Sequence, residues 1–341
     1  IDPSQVDIDY LWLSPDVTAD GILAPSFTLA QNLRSLQVLQ TFNAGLDHPG
    51  YRPIADKGVR ICNSSAQAIA ISEFVMAHVL DVFQPLAERR ELQAKAQWKR
   101  TPFREISRTN WLIFGFGPIG REVAKRAKAF EAHTTVIRRS PATSETVDRS
   151  GTLADVQTYL PEADVIVLAC PLNAETRGLA GADFFATLKP DAVLVNIARG
   201  ALIDDDAMIA ALDGDRFSTA VLDVFHTEPL PSDDKLWAHP KIRLTSHTSF
   251  NGSGAPQRWT ELFLDNLPRF VRGEPLVNEV APRDIPYCHP VGKTNLNWIA
   301  VRKKMACANA QAILGSIQAD RSSAKPQIAS VLVVGFALVE E

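Results

Sequence analysis

Short apolar runs recur along the chain, and between them apolar positions fall at the three-to-four-residue spacing of a helix. Tyr10–Leu13, Leu36–Thr41 and Val59–Cys62 are each bounded by turn-forming residues, and they predict three strands. Gln67–Trp98 carries apolar residues at Ile69, Phe74, Val75, Val79 and Leu80 and predicts a helix. Ser64 or Ser65 is the expected N-cap, because a short side-chain oxygen can accept a free N–H of the first turn. Pro85 should kink or split this helix, since its ring fills the turn and it has no N–H to donate.

From Trp111 onward, strands and helices alternate. Leu112–Phe114, Val165–Cys170, Ala192–Asn196, Thr219–Leu222 and Ile242–Thr245 predict strands, and so does the run ending at Ile137. Pro118–Phe130, Asp204–Leu212 and Ala255–Val271 predict helices. Strands that are apolar at every position have both faces covered, which is the mark of a parallel sheet between helix layers. The expected organisation is a smaller α/β unit over residues 1–98, a doubly wound unit over 99–280, and an extension over 281–341 of undefined pattern. That extension holds a helical stretch near Val301–Ile317, a polar gap at Ser322, Ser323 and Pro326, and the apolar run Ile328–Val339.

Composition narrows the function classes without choosing one. With 46% hydrophobic and 22% charged residues and a net charge of -4, the chain reads as an ordinary globular protein. It has no broad basic stripe, so nucleic acid is not an expected partner, and the cluster Arg302, Lys303 and Lys304 reads as a solvated face. The longest apolar run is too short for a membrane helix, which needs about 20 residues. Ile1–Tyr10 alternates acidic and apolar residues and does not read as a signal peptide. Cys62, Cys170, Cys288 and Cys307 form no CxxC pair, so no metal site is expected. Cys62 and Cys170, set in apolar runs, read as buried reduced thiols suited to the cytoplasm.

Gly115-Phe116-Gly117-Pro118-Ile119-Gly120 is a G-x-G-x-x-G loop, placed after an apolar strand and at the opening of a helix. Gly115 permits the tight turn, Gly117 lets a pyrophosphate approach the backbone, and Gly120 lets helix and strand pack closely. Pro118 suits the first helical turn, whose free N–H groups face the phosphates together with Ile119. The next strand ends in Arg138-Arg139-Ser140, where an acid would hold the ribose 2′-OH of NAD. Two guanidiniums there favour a 2′-phosphate, so NADP(H) is the expected cofactor, with NAD(H) possible if both arginines are solvated.

Three blocks end at predicted strands of the same sheet. Asn196-Ile197-Ala198-Arg199-Gly200 carries Arg199, Asp223 through Glu228-Pro229 carries two acids, and Ser246-His247-Thr248 carries His247. Ligands of doubly wound sheets bind outside the carboxyl ends of the strands. Reduction of a 2-keto acid needs a cation for carboxylate and carbonyl, which Arg199 can supply, and a proton donor, which His247 can supply. Glu228 would fix the imidazole tautomer and favour its protonated form. His226 and His239 read as structural or exposed and Trp237 as packing rather than stacking on cofactor, while His48 beside Asp47 reads as structural, with contact to substrate the alternative.

These blocks resemble the D-2-hydroxyacid dehydrogenase family, over about Asp9–Val280. The likeness extends to Asn43-Ala44-Gly45-Leu46-Asp47, Asn63–Glu73 and Cys170-Pro171 through Gly178. The resemblance implies two Rossmann/flavodoxin-like doubly wound domains with a cleft between them, and a homodimer. It implies catalysis by Arg199, Glu228 and His247 on a small 2-keto or 2-hydroxy acid of glyoxylate/hydroxypyruvate type. By the same resemblance Gly45 and Leu46 bind the substrate carboxylate through backbone N–H groups, and Asp223 holds the nicotinamide carboxamide. Cys170 and Pro171 line the adenosine pocket, while Ile197, Ala198 and His247 border the cofactor.

The sequence departs from the family pattern in three ways. Fewer residues precede Asn43 than the family usually has, so a strand of the first sheet is expected to be missing and an edge exposed. Glu131 stands where the family often has a glycine closing the helix, which predicts a costly left-handed residue. Residues 283–341 match no familiar block. Two alternatives remain open at this stage: a phosphite-type dehydrogenase of the same superfamily, and a non-catalytic module that senses dinucleotide.

Overall fold

The computed structural model describes residue 3 and residues 6–19, 21–140, 146–286 and 331–334. The stretch Val301–Ile317, the cluster at Arg302, Cys288, Cys307 and the gap at Ser322, Ser323 and Pro326 lie outside the described residues. The chain divides into two compact α/β units, residues 1–66 with 256–341 (unit 1) and residues 67–255 (unit 2). The first elements are β1 (Tyr10–Leu13), α1 (Asp16–Ala19), α2 (Leu23–Asn32), β2 (Val38–Thr41), α3 (Tyr51–Ala55) and β3 (Arg60–Cys62). Next come α4 (Ala68–Phe83), α5 (Leu86–Ala94), β4 (Asn110–Phe114), α6 (Pro118–Ala129), β5 (His133–Ile137) and β6 (Arg149–Gly151). Then follow α7 (Val156–Tyr159), β7 (Val165–Leu168), α8 (Ala182–Ala186), β8 (Val193–Asn196), α9 (Asp205–Asp213) and β9 (Thr219–Leu222). The last are β10 (Ile242–Leu244), α10 (Ala255–Arg272), β11 (Glu279–Val280) and β12 (Val331–Val334).

Unit 2 is built on a seven-stranded parallel sheet of order β10-β9-β8-β7-β4-β5-β6. The strand order reverses direction at β4, which makes the space beyond β4 and β7 the topological switch point where such sheets take ligands. Side-chain alternation sorts the apolar strands onto two cores. Trp111, Ile113, Val136, Val165, Val167, Val193, Val195 and Val221 face one helix layer. Leu112, Phe114, Ile137, Ile166, Leu168, Leu194 and Leu222 face the other, with Phe184, Phe185, Met208 and Leu212.

This sorting explains why the unit boundary differs from the expected break at residue 98. Ile71, Val75, Val79 and Phe83 repeat every four residues along α4 and pack into the first core with Val123, Ala124 and Ala127 of α6. The helix therefore belongs to the dinucleotide unit. Likewise α10 and β11 fall within unit 1, so the second boundary lies at 255 and not at 280. Neither Ser64 nor Ser65 caps α4. Gln67 stands at the N-cap without a side-chain capping bond to the helix, while Ser64 Oγ accepts the N–H of Ala66 at 3.1 Å in the turn before it. Pro85 does break the helix, and α4 and α5 turn by 59° there. Among the described residues, no single helix is long and apolar enough to cross a membrane.

Unit 1 has a five-stranded sheet of order β11-β3-β2-β1-β12, parallel throughout except for β11. Helix α10 lies on it: Trp12 stacks on Phe263 at 4.5 Å, and Tyr10 meets Phe263 and Phe270 edge-on. The exposed edge expected beside the first strand is taken by β12, which lies within the apolar run of the extension. Helices α2 and α3 and the short strands β6 and β11 gave no clear pattern in the sequence, because each is short or only partly buried.

The expected strain at Glu131 is present. Its φ is 63°, and its carbonyl accepts the N–H of Arg108 at 3.1 Å, so the backbone is held in the left-handed region. A side chain there costs about 1–2 kcal/mol, partly offset by the 3.0 Å bond from Ser107 Oγ to its carboxylate. Glu131→Gly is expected to stabilise the protein by about 1 kcal/mol. Thermal unfolding checks it, and an unchanged or lowered Tm would show that the bond outweighs the strain.

Candidate active site

The glycine loop follows β4 at the switch point, and each glycine has a steric reason. Gly115 has φ 92°, and a Cβ there would lie 2.6 Å from the carbonyl oxygen of Ala169 and 2.9 Å from the Cα of Cys170. A Cβ on Gly120 would sit 2.1 Å from the oxygen of Gly115. One on Gly117 would meet nothing within 4 Å. Two glycines thus close the turn, and the third opens a side-chain-free approach to the N-terminus of α6, where Pro118 occupies the first turn. An extended pyrophosphate fits this cradle, held by free N–H groups and the helix dipole.

Arg138, at the end of β5, is tied down by its N–H to the oxygen of Gly151 at 2.9 Å. Its guanidinium lies 5.7 Å from the Phe116 ring, and that of Arg121 lies 5.3 Å from the same ring. Arg139 and Ser140 are exposed beside it, and no carboxylate ends the strand. The sequence reading missed Arg121; the signal was its position directly after Gly120. Cys170 contributes an uncharged wall next to Gly115, since burial pushes its thiol up to about 11. Pro171 is fixed by its carbonyl, which accepts from Thr176 Oγ1 at 2.8 Å.

The catalytic candidates occupy loops after β8, β9 and β10. Asn196, fully buried at the end of β8, organises the first of them. Its amide donates to the oxygen of Arg199 at 2.9 Å, and its Oδ1 accepts the N–H of Ala198 at 3.1 Å. Gly200 then presses against the next loop, where a Cβ would lie 2.1 Å from the carbonyl carbon of Phe225. The Arg199 and Glu228 blocks therefore touch through backbone, a contact only glycine allows.

Asp223 is completely buried at the end of β9. Its Oδ1 accepts from Thr245 Oγ1 at 2.7 Å and from the N–H of Thr248 at 2.8 Å, and its Oδ2 accepts the N–H of Ser249 at 3.0 Å. Its carbonyl takes the N–H of His247 at 2.8 Å. Inside this turn His247 adopts φ 48°, a strained conformation for a non-glycine residue. Its Nδ1 meets Glu228 Oε2 at 2.7 Å, while Glu228 Oε1 accepts the N–H of Phe225 at 2.9 Å. With Nδ1 engaged by a carboxylate, Nε2 is the ring nitrogen left outside that bond.

The neighbouring candidates have structural partners. His226 Nε2 meets the oxygen of Ile203 at 2.9 Å, and His239 Nε2 lies 3.3 Å from Asp213. Trp237 is half exposed and donates its indole N–H to the oxygen of Pro231 at 2.8 Å. In unit 1, His48 stacks on Phe27 at 4.3 Å, its Nδ1 accepts the N–H of Gly50, and burial lowers its pKa, keeping it neutral at pH 7. The loop Asn43–Asp47 is latched by Asn63 Nδ2 to the oxygen of Ala44 at 2.7 Å and by the N–H of Ser64 to the oxygen of Asn43 at 2.8 Å. Among the described residues, no acceptor meets the amides of Gly45 or Leu46.

Comparison with known proteins follows the same lines. A sequence profile described as "D-isomer specific 2-hydroxyacid dehydrogenase, NAD binding domain" matches residues 76–249, about half of the chain. The "D-3-phosphoglycerate dehydrogenase" of Methanocaldococcus jannaschii is 29% identical over 75% of this chain, but the match spans only 49% of that relative. The "Glyoxylate/hydroxypyruvate reductase A" of Serratia proteamaculans is 28% identical, over 65% of this chain and 74% of its own length. Among solved structures, a D-isomer specific 2-hydroxyacid dehydrogenase from Xanthobacter autotrophicus Py2, in complex with NADPH and MES, superposes with a TM-score of 0.69. It is 26% identical, and the superposition covers 83% of this chain and 86% of that one. The chain belongs to the D-isomer specific 2-hydroxyacid dehydrogenase family.

Proposed function

We propose that this chain is an NADP(H)-preferring reductase of small 2-keto acids, of the glyoxylate/hydroxypyruvate type, producing the D-2-hydroxy acid. The observation that carries this reading is the 2.7 Å pair of His247 Nδ1 with Glu228, positioned at the carboxyl end of the dinucleotide sheet. The name of the Serratia relative and the NADPH in the Xanthobacter structure support the substrate and cofactor classes.

In the proposed reaction, dihydronicotinamide, when bound, supplies a hydride to the carbonyl carbon. His247 delivers the proton to the carbonyl oxygen from Nε2, because Glu228 engages the other ring nitrogen. The carboxylate of Glu228 also lies against the imidazolium, and the Phe225 amide prevents it from turning away. Arg199 binds the substrate carboxylate and polarises the carbonyl. The amides of Gly45 and Leu46 are carboxylate donors by the same reading. Asp223 has one role in the apo chain, holding the His247 turn, and a second in accepting from the nicotinamide carboxamide. The glycine loop holds the pyrophosphate, Ile197, Ala198, Cys170 and Pro171 border the nucleotide, and Arg138, Arg139 and Ser140 hold the 2′-phosphate.

A homodimer is part of the proposal. Helix α5 buries none of its residues within the chain, Trp98 just beyond it is 98% exposed, and Phe103 is 50% exposed. The exposed rings of Trp98 and Phe103 beside this charged helix suit the face of a second copy. The free thiols Cys62 and Cys170 suit a reducing compartment, and the cytoplasm is the proposed location.

Replacing His247 by Ala is expected to lower kcat for glyoxylate or hydroxypyruvate by about 10²–10⁴-fold. NADPH affinity, read by nucleotide fluorescence, should change little; a variant that keeps more than a tenth of the wild-type kcat would remove His247 from the role. Glu228→Gln should give a smaller kcat loss with KM nearly unchanged. The double substitution Arg138→Ala, Arg139→Ala is expected to lower kcat/KM with NADPH by about 10²–10⁴-fold while sparing NADH, given about 1.5–3 kcal/mol per charged hydrogen bond and one such bond from each arginine. A wild-type enzyme that already favours NADH would refute the cofactor assignment.

A further inference from the structure

The four residues of β1, Tyr-Leu-Trp-Leu, are all buried, with Tyr10, Leu11 and Leu13 at 0% exposure. A strand covered on both faces and apolar at every position is an interior strand of a parallel sheet. Edge strands are normally protected by charges, proline, a bulge or a covering element, and β1 has none of the first three in its sequence. On one side it pairs with β2, residue for residue from Tyr10↔Val38 to Thr41 opposite Leu13. On the other side it pairs, over the same four positions, with a strand that comes more than 300 residues later in the sequence, from Tyr10↔Val331 to Leu13↔Val334. That strand, Val-Leu-Val-Val, is rich in β-branched residues and uncharged, the composition that pairs most readily in a sheet.

We propose that the outer edge of β1 is a strand-acceptor surface whose ligand is the chain's own segment Val331–Val334. Val331–Val334 is thereby a working part of the sheet of unit 1. The consequences run inward from the edge. Tyr10 and Trp12 present their rings to Phe263 and Phe270 of α10, and the Tyr10 hydroxyl donates to Gln40 on β2. Gln40 in turn accepts from Asn266 of α10 at 3.3 Å, and Asn266 exchanges bonds with the backbone of Val277 just before β11. The strand that carries these rings is held on one side by β2 alone unless β12 is in place. Parallel pairing engages alternate N–H groups on each side, so without β12 half of the β1 amides lose their acceptors.

Hydrogen exchange read by mass spectrometry tests this on three proteins: the full chain, a chain ending at Ser330, and the full-length double variant Leu332→Pro, Val333→Pro. Of two adjacent amides in a strand, one faces the neighbour, so the double proline removes a ladder donor whichever it is. The expected result in both altered proteins is exchange at least about tenfold faster in peptides covering Tyr10–Leu13. Peptides covering β4, in the other unit, should be unchanged. A synthetic peptide of residues 328–338 with a solubilising lysine tail, added in excess to the shortened chain, should restore the protection of β1. The proposal fails if β1 exchanges at the full-chain rate in both altered proteins, or if β4 loses protection to the same extent as β1. Should the shortened chain not fold, the double-proline variant alone decides. None of these readouts depends on the substrate or cofactor assignment.

Discussion

Asp223 is the residue on which the rest of the candidate site depends. A carboxylate buried this completely has to collect donors from the chain around it, or the cost of desolvation would be several kcal/mol. The donors it collects are Thr245 Oγ1 and the amides of Thr248 and Ser249, all from the stretch that leaves β10. Drawing those three groups onto one carboxylate curls the chain so tightly that His247, between them, takes a left-handed backbone. The strain at His247 is thus the result of satisfying Asp223, and it aims the ring at Glu228. The same logic holds one strand earlier, where buried Asn196 closes the turn that presents Arg199.

Most of unit 2 was legible in the sequence because parallel strands buried on both faces leave an unbroken apolar signature, and because glycines in a turn report their own geometry. The residues at the strand ends were legible for the same reason. Other features were not. That α4 serves the dinucleotide sheet could not be read from its position before β4, since an apolar helix face does not state which sheet it covers. Nothing in the sequence marks Gly200, yet it is what lets the Arg199 loop lie on the backbone of Phe225. The three donors to Asp223 are ordinary Thr and Ser positions until the fold brings them to one buried carboxylate. The pairing of Arg121 and Arg138 about Phe116 needs two separate elements to meet, which no local pattern announces.

The glycine loop and the catalytic loops are linked through the switch point. The Cα of Cys170 packs where a side chain on Gly115 would be, so the chain leaving β7 and the turn after β4 define each other's course. From β7 the sheet continues to β8, β9 and β10, whose ends hold Arg199, Asp223 and His247 in order. The glycine loop and the His247–Glu228 pair therefore lie along one edge of a single sheet.

The two units differ in how the chain builds them. Unit 2 is one continuous segment, whereas unit 1 takes strands and a helix from both ends of the sequence. The cost of closing so long a loop rises only slowly with length, so specific pairs can hold the distant pieces. Arg60 on β3 meets Glu279 on β11 through two bonds, 2.9 Å from Nε to Oε1 and 2.6 Å from Nη2 to Oε2. The Arg60 hydrogen bond keeps the Glu279 carboxyl below the usual range. Asn278, the residue before, donates to Ser65 at 2.8 Å, and Asn63 gives its N–H to the oxygen of Asn278. These contacts fix the same short stretch, Asn63–Ser65, that latches the Asn43–Asp47 loop, so the late part of the chain helps shape that loop. A unit assembled from such separated pieces forms through non-local contacts, and the continuous dinucleotide unit, richer in near-neighbour strand pairs, is the one that physical reasoning expects to fold first.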